Sequence, residues 1–111
     1  MGRDYKALVS HIFDSILLIE KYTESITFAE FEKDQKTIDA VIRNFEIIGE
    51  ASNKLSKEFR EKHPEVPWKS IIGLRNVLIH DYLGVDIMAV WGNIKKELPL
   101  LKKQIKAVLD S

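Results

Sequence analysis

The chain has 111 residues, 45% of them hydrophobic and 31% charged, and no cysteine; this is the size of one domain with enough apolar residues for a packed core, and it excludes intrinsic disorder, a disulfide framework, a thiol nucleophile and thiolate-held metals. Lys plus Arg and Asp plus Glu both number 17, a formal net charge of +0, so bulk electrostatics cannot hold nucleic acid and any such contact must be local. No run approaches the roughly 20 apolar residues of a membrane span, and Met1-Gly2-Arg3-Asp4-Tyr5-Lys6 lacks a signal-peptide core, so the expectation is one soluble, cytoplasmic domain over residues 1–111.

In chain order, Tyr5, Leu8, Val9, Ile12, Phe13, Ile16, Leu17 and Ile19 fall at three-four spacing and predict a first helix over 4–24. Thr27 followed by Glu30 has the form of a capping box and predicts a short helical restart. Ile38, Val41, Ile42, Phe45, Ile48, Leu55 and Phe59 predict a second long helix from about Asp34 to about Arg60, with Gly49 and Ala51 small enough to let a neighbour approach. His63-Pro64-Glu65-Val66-Pro67-Trp68 breaks it, because proline lacks an amide donor and biases its predecessor toward extended backbone. His63 is expected to be exposed there. Trp68, Ile71, Ile72, Leu74, Val77, Leu78 and Ile79 carry a third helix to the region of His80–Gly84, where Gly84 suits a left-handed stop. Asp86 then caps a fourth helix bearing Ile87, Val90, Trp91, Ile94, Leu98, Leu101, Ile105 and Val108, which Pro99 should kink or divide. No strand-like alternation of useful length and no repeat is present, so the fold class is all-α, an up-and-down bundle of four to five helices.

Convergent polar groups concentrate in one segment, Gly73-Leu74-Arg75-Asn76-Val77-Leu78-Ile79-His80-Asp81-Tyr82. Asn76 and His80 are four apart and share a helix face, whereas Arg75 and His80 are five apart, about 140° round an ideal helix. If both act on one phosphate, either the helix unwinds at His80 or a second copy of the chain supplies the facing pair, as in a symmetric dimer. The set suits phosphodiester cleavage without a metal: a histidine moves a proton at the 2′-hydroxyl or the leaving oxygen, and a guanidinium binds the phosphate as charge builds. Arginine and histidine five apart occur by chance in many helices, and spacing alone favours a plainer reading, with Arg75 ion-paired at the surface and His80 capping the helix end.

The remaining candidates are weaker. His11 and Asp14 are three apart but lack a third metal ligand, so no metal and no cofactor is expected. Trp68 and Trp91 read as core or interface rather than base-stacking platforms. Glu50 reads as a packing position beside small residues. Lys102, Lys103 and Lys106 read as a solvated face.

Arg43-Asn44-Phe45-Glu46-Ile47-Ile48-Gly49-Glu50-Ala51, Pro64-Glu65-Val66-Pro67-Trp68, Gly73 to Tyr82, Val90-Trp91 and Leu98-Pro99, taken together and in order, resemble the HepT-like branch of the HEPN superfamily. The resemblance spans nearly the whole chain. It implies a small all-helical symmetric homodimer, with pairing of dimers into a larger assembly left open. It also implies a metal-independent endoribonuclease, the toxin of a type VII-like toxin–antitoxin pair, whose catalytic motif falls on Arg75, Asn76 and His80 at a composite dimer cleft. The family pattern extends to Tyr82, the position on which an MntA-like nucleotidyltransferase antitoxin places adenylyl groups to silence the enzyme. RNA would be met by a local patch, Arg75 with Lys69 and Arg43, doubled by symmetry. The alternative is a catalytically silent nucleotide- or partner-binding subunit of a nucleotidyltransferase complex, still modified at Tyr82 but leaving RNA whole.

Overall fold

The computed structural model describes residues 2–80 and 86–111, with side chains for 5–74 and 86–111. Among these residues the chain is helical and carries no strand, an all-α bundle. The helices are α1 (Gly2–Thr23), α2 (Phe28–Lys33), α3 (Gln35–Lys54), α4 (Lys57–Lys62), α5 (Trp68–His80), α6 (Ile87–Gly92) and α7 (Leu98–Asp110), with a π-helical segment, Asn93–Glu97, joining α6 to α7.

The capping signals act as the sequence reading expects. The Thr27 hydroxyl accepts from the Glu30 amide while the Glu30 carboxylate accepts from the Thr27 amide, closing the capping box of α2. Asp86 accepts from the amides of Met88 and Ala89 at the start of α6. Asp34 caps α3 through the Thr37 amide and hydroxyl. Hydrogen bonding from the Thr37 hydroxyl, then from its amide, holds the Asp34 carboxyl below the ordinary carboxylate value.

One expectation is corrected and another takes a particular form. The second long helix does not run to Arg60: Leu55 is extended (φ −69°, ψ 141°), and the Ser56 hydroxyl accepts from the Phe59 amide to start α4. Leu55 is nevertheless buried, so the chain breaks while its apolar side stays in the core. The fourth helix is divided, as Pro99 leads one to expect, and the division is a π segment just ahead of the proline. Pro99 offers no amide to the Lys95 carbonyl and its ring crowds that group, and the Leu98 amide reaches back five residues to the Asn93 carbonyl. Gly84 and the predicted stop lie outside the described residues.

Packing makes α3 the centre, with α1 on one side and α5 on the other, while α7 lies against α1. Val9, Ile12, Ile16 and Ile19 of α1 and Ile38, Val41, Phe45 and Ile48 of α3 belong to one continuous core, each large apolar side chain contributing about 1.5–3 kcal/mol by leaving water. Phe31 is fully buried and stacks on Trp91 at 5.0 Å between ring centres, joining α2 to α6. Gln104 donates to the Glu65 carbonyl at 2.8 Å, tying α7 to the loop that precedes α5. Both tryptophans therefore serve the core, as the sequence reading expects.

Candidate active site

Helix α5 is positioned by the loop before it. The Trp68 indole donates to the His63 carbonyl at 3.0 Å, Val66 is buried, and the Ile71 amide bonds to the Pro67 carbonyl as the first turn forms. His63 is not simply exposed: its ring lies 4.8 Å from that of Phe59 and its Nδ1 is 3.6 Å from the Glu65 carboxylate. The break that prolines impose is thus filled by aromatic packing.

Arg75, Asn76 and His80 lie on α5, which remains α-helical through His80. The helix does not unwind before the histidine. At about 100° per residue the backbone positions of Asn76 and His80 fall about 40° apart, and Arg75 stays about 140° from His80. In backbone register Arg75 falls within about 20° of Trp68 and about 40° of Ile71. Lys69, Ile72, Asn76 and His80, at i, i+3, i+7 and i+11, form one stripe on another side of the helix. Tyr82 lies outside the described residues.

The two cations that the sequence reading joins to the motif are not brought together. Arg43 lines a groove between α1 and α3 with His11, Glu50 and Lys54, and its guanidinium is 3.5 Å from both Glu46 and Glu50. Glu50 is thereby an ion-pair partner of Arg43 across two helical turns. Lys69 lines a different, larger groove of about 700 Å³, with Asn53, Lys57, Arg60, Glu61 and Trp68. There the Nε of Arg60 is buried without a hydrogen-bond partner, a deficit that costs about 1–3 kcal/mol if nothing meets it. The sequence does not mark Lys57 and Arg60, which come beside Lys69 only once the chain has turned back through the proline loop. Lys102, read as solvated, pairs with Glu20 of α1 at 2.9 Å, whereas Lys106 pairs along its own helix with Asp110. Among the described residues no three His, Asp or Glu side chains are grouped to hold a metal ion, and no helix is long and apolar enough to cross a membrane.

Comparison with known proteins bears on this arrangement. A family model described as ribonuclease HepT-like matches residues 12–108. The chain is 43% identical over 106 residues to "Putative RNase MJ1380" of Methanocaldococcus jannaschii, covering 96% of this chain and 97% of that protein. It is 44% identical over 102 residues to "Probable ribonuclease HepT" of Thermococcus cleftensis, covering 92% of this chain and 93% of the other. It is also 44% identical over 110 residues to "Gamma-glutamylcyclotransferase and putative RNase MJ0434" of Methanocaldococcus jannaschii, where it covers 99% of this chain and spans 50% of that longer protein. No solved structure matches with comparable significance. A match over almost the whole bundle, α5 included, means that the chain belongs to the ribonuclease HepT-like family.

Proposed function

We propose that the chain is a metal-independent endoribonuclease whose active site is completed by a second copy of itself. Family membership supplies the reaction class, cleavage of RNA. The observation that carries the finer reading is the unbroken helix through His80: on one copy Arg75 and His80 are turned about 140° apart, and a two-fold axis beside α5 sets the arginine of one protomer opposite the histidine of the other. His80 acts as general acid/base, Arg75 binds the phosphate oxygens as negative charge grows, and Asn76 orients the site. The 2′-hydroxyl oxygen bonds to the adjacent phosphorus, the 5′-oxygen leaves with a proton, and the ends are a cyclic phosphate and a 5′-hydroxyl.

The same reading extends to regulation. Tyr82 follows His80 by two residues, so an adenylyl group placed there by a partner nucleotidyltransferase would add bulk and negative charge beside the cleft and repel RNA phosphates. This makes the chain the toxin of a toxin–antitoxin pair.

Purified wild-type and His80→Ala protein incubated with mixed RNA in EDTA test the reading. Cleavage by wild type with cyclic phosphate ends, slowed about 10²–10⁴-fold in the variant, is expected. Equal cleavage by both proteins overturns the histidine's role, and intact RNA with unmodified wild type overturns the nuclease.

A further inference from the structure

We infer that the groove between α4, the proline loop and α5 is a binding track for the phosphates of single-stranded RNA, with Lys57, Arg60 and Lys69 as its cationic contacts. The inference rests on the RNase reading above and names how that site holds its substrate.

Three observations converge on it. First, in a chain of formal net charge +0, this groove gathers three cations against one carboxylate, Glu61. None of the three has an ion-pair partner among the described residues; Lys54 and Lys103 have none either, so what sets this groove apart is that three such cations line one cleft. A local surplus of charge is what a neutral protein needs to engage a polyanion. Second, Arg60 lines the groove and its side chain makes no ion pair, its Nε being buried without a hydrogen-bond partner, so no protein acceptor holds the guanidinium and it is left to offer a charge-assisted bond to a phosphate. Third, the groove lies on the flank of α5 that leads toward the motif: Lys69 and Ile72 line it, and the backbone positions of Asn76 and His80 follow them on the same stripe of the helix. Lys69 stands about 16 Å along the helix from His80, so a strand lying in the groove has phosphates within reach of Lys57, Arg60 and Lys69 a few nucleotides from the bond cleaved at His80. Asn53 and Ser70, exposed in the same groove, can bond to sugar and base without sequence preference.

The test is binding of a non-cleavable 2′-O-methyl RNA 12-mer to the intact protein, followed by fluorescence anisotropy from about 0.05 to 0.3 M salt. Lys57→Gln and Arg60→Gln are each expected to weaken binding about fivefold at 0.1 M salt and to lower the log–log salt slope by about 0.7, the value of one phosphate contact on a single strand. Lys103→Gln removes the same charge from an exposed position on α7 and should change neither. Lys57 is exposed, so its variant keeps the test decisive if Arg60→Gln fails to fold. Unchanged affinity and slope in Lys57→Gln overturn the inference, as does an equal loss in Lys103→Gln. Groove-dependent binding without RNA cleavage would sink the nuclease reading and leave this inference standing; cleavage with binding unaffected by Lys57→Gln would do the reverse.

Discussion

Two grooves border the central bundle, and they differ in how their charges are met. Between α1 and α3, Arg43 lies 3.5 Å from both Glu46 and Glu50, so one of that groove's two cations is offset within its own helix and only Lys54 is left without an ion-pair partner among the described residues. Between α4 and α5, Lys57, Arg60 and Lys69 face a single carboxylate, and one Arg60 nitrogen has no partner at all. Both grooves hold basic residues, so counting cations does not separate them. What separates them is the local balance, and in a chain with no net charge only an unbalanced groove can draw a polyanion.

The largest expected break in this comparison is structural. Trp68 is 6% exposed, bonds to the His63 carbonyl and walls the cationic groove, so Trp68→Ala should cost about 3–5 kcal/mol in denaturant unfolding. Ile47→Ala, at a half-buried position in the other groove, should cost about 1 kcal/mol or less; equal losses would mean that the loop before α5 is not a distinct support. Smaller is the effect of unbalancing the first groove. Glu46→Gln with Glu50→Gln leaves Arg43 uncompensated and should strengthen single-stranded RNA binding, by at most about fivefold at 0.1 M salt. No gain at all would show that position, and not charge balance, excludes Arg43 from RNA. Smallest is a pH effect far from either groove. The Asp34 carboxyl is held below its ordinary value of 3.8, chiefly by the Thr37 hydroxyl, so its contribution is present above that pH and is lost as the pH falls through the lowered value. Asp34→Asn should melt below wild type at pH 7, and the gap should close by pH 2; a gap that persists there would show that ionisation contributes nothing to this cap.

Most of the fold was legible in the sequence. Thr27 with Glu30, Asp86, and the prolines at 64 and 67 mark boundaries through chemistry that acts within a few residues, and the three-four spacing of Val9 to Ile19 identifies the buried side of α1. The break at Leu55 was not legible, because Leu55 and Phe59 are four apart and keep helical register across it, hiding Ser56 as a cap. The π segment was hidden in the same manner. Val90, Ile94 and Leu98 step by four, which on an ideal helix drifts about 40° each time, and the widened turn keeps all three buried. Of the candidate site, the motif on α5 could be read from residue types and family resemblance. The cationic groove could not, since Lys57, Arg60 and Lys69 meet only after the chain turns back through the proline loop. Arg43 shows the converse: its basic side chain is visible in the sequence, its two carboxylate neighbours only in the fold.

The central claim, that Arg75 of one copy works with His80 of another, is tested most directly by mixing two inactive variants. Arg75→Ala and His80→Ala, unfolded together and refolded at equal amounts, would form heterodimers in which one of two composite sites is intact. RNA cleavage is expected to return to about one quarter of the wild-type rate, since half of the dimers are mixed and each carries one working site. A mixture as inactive as its components would contradict it.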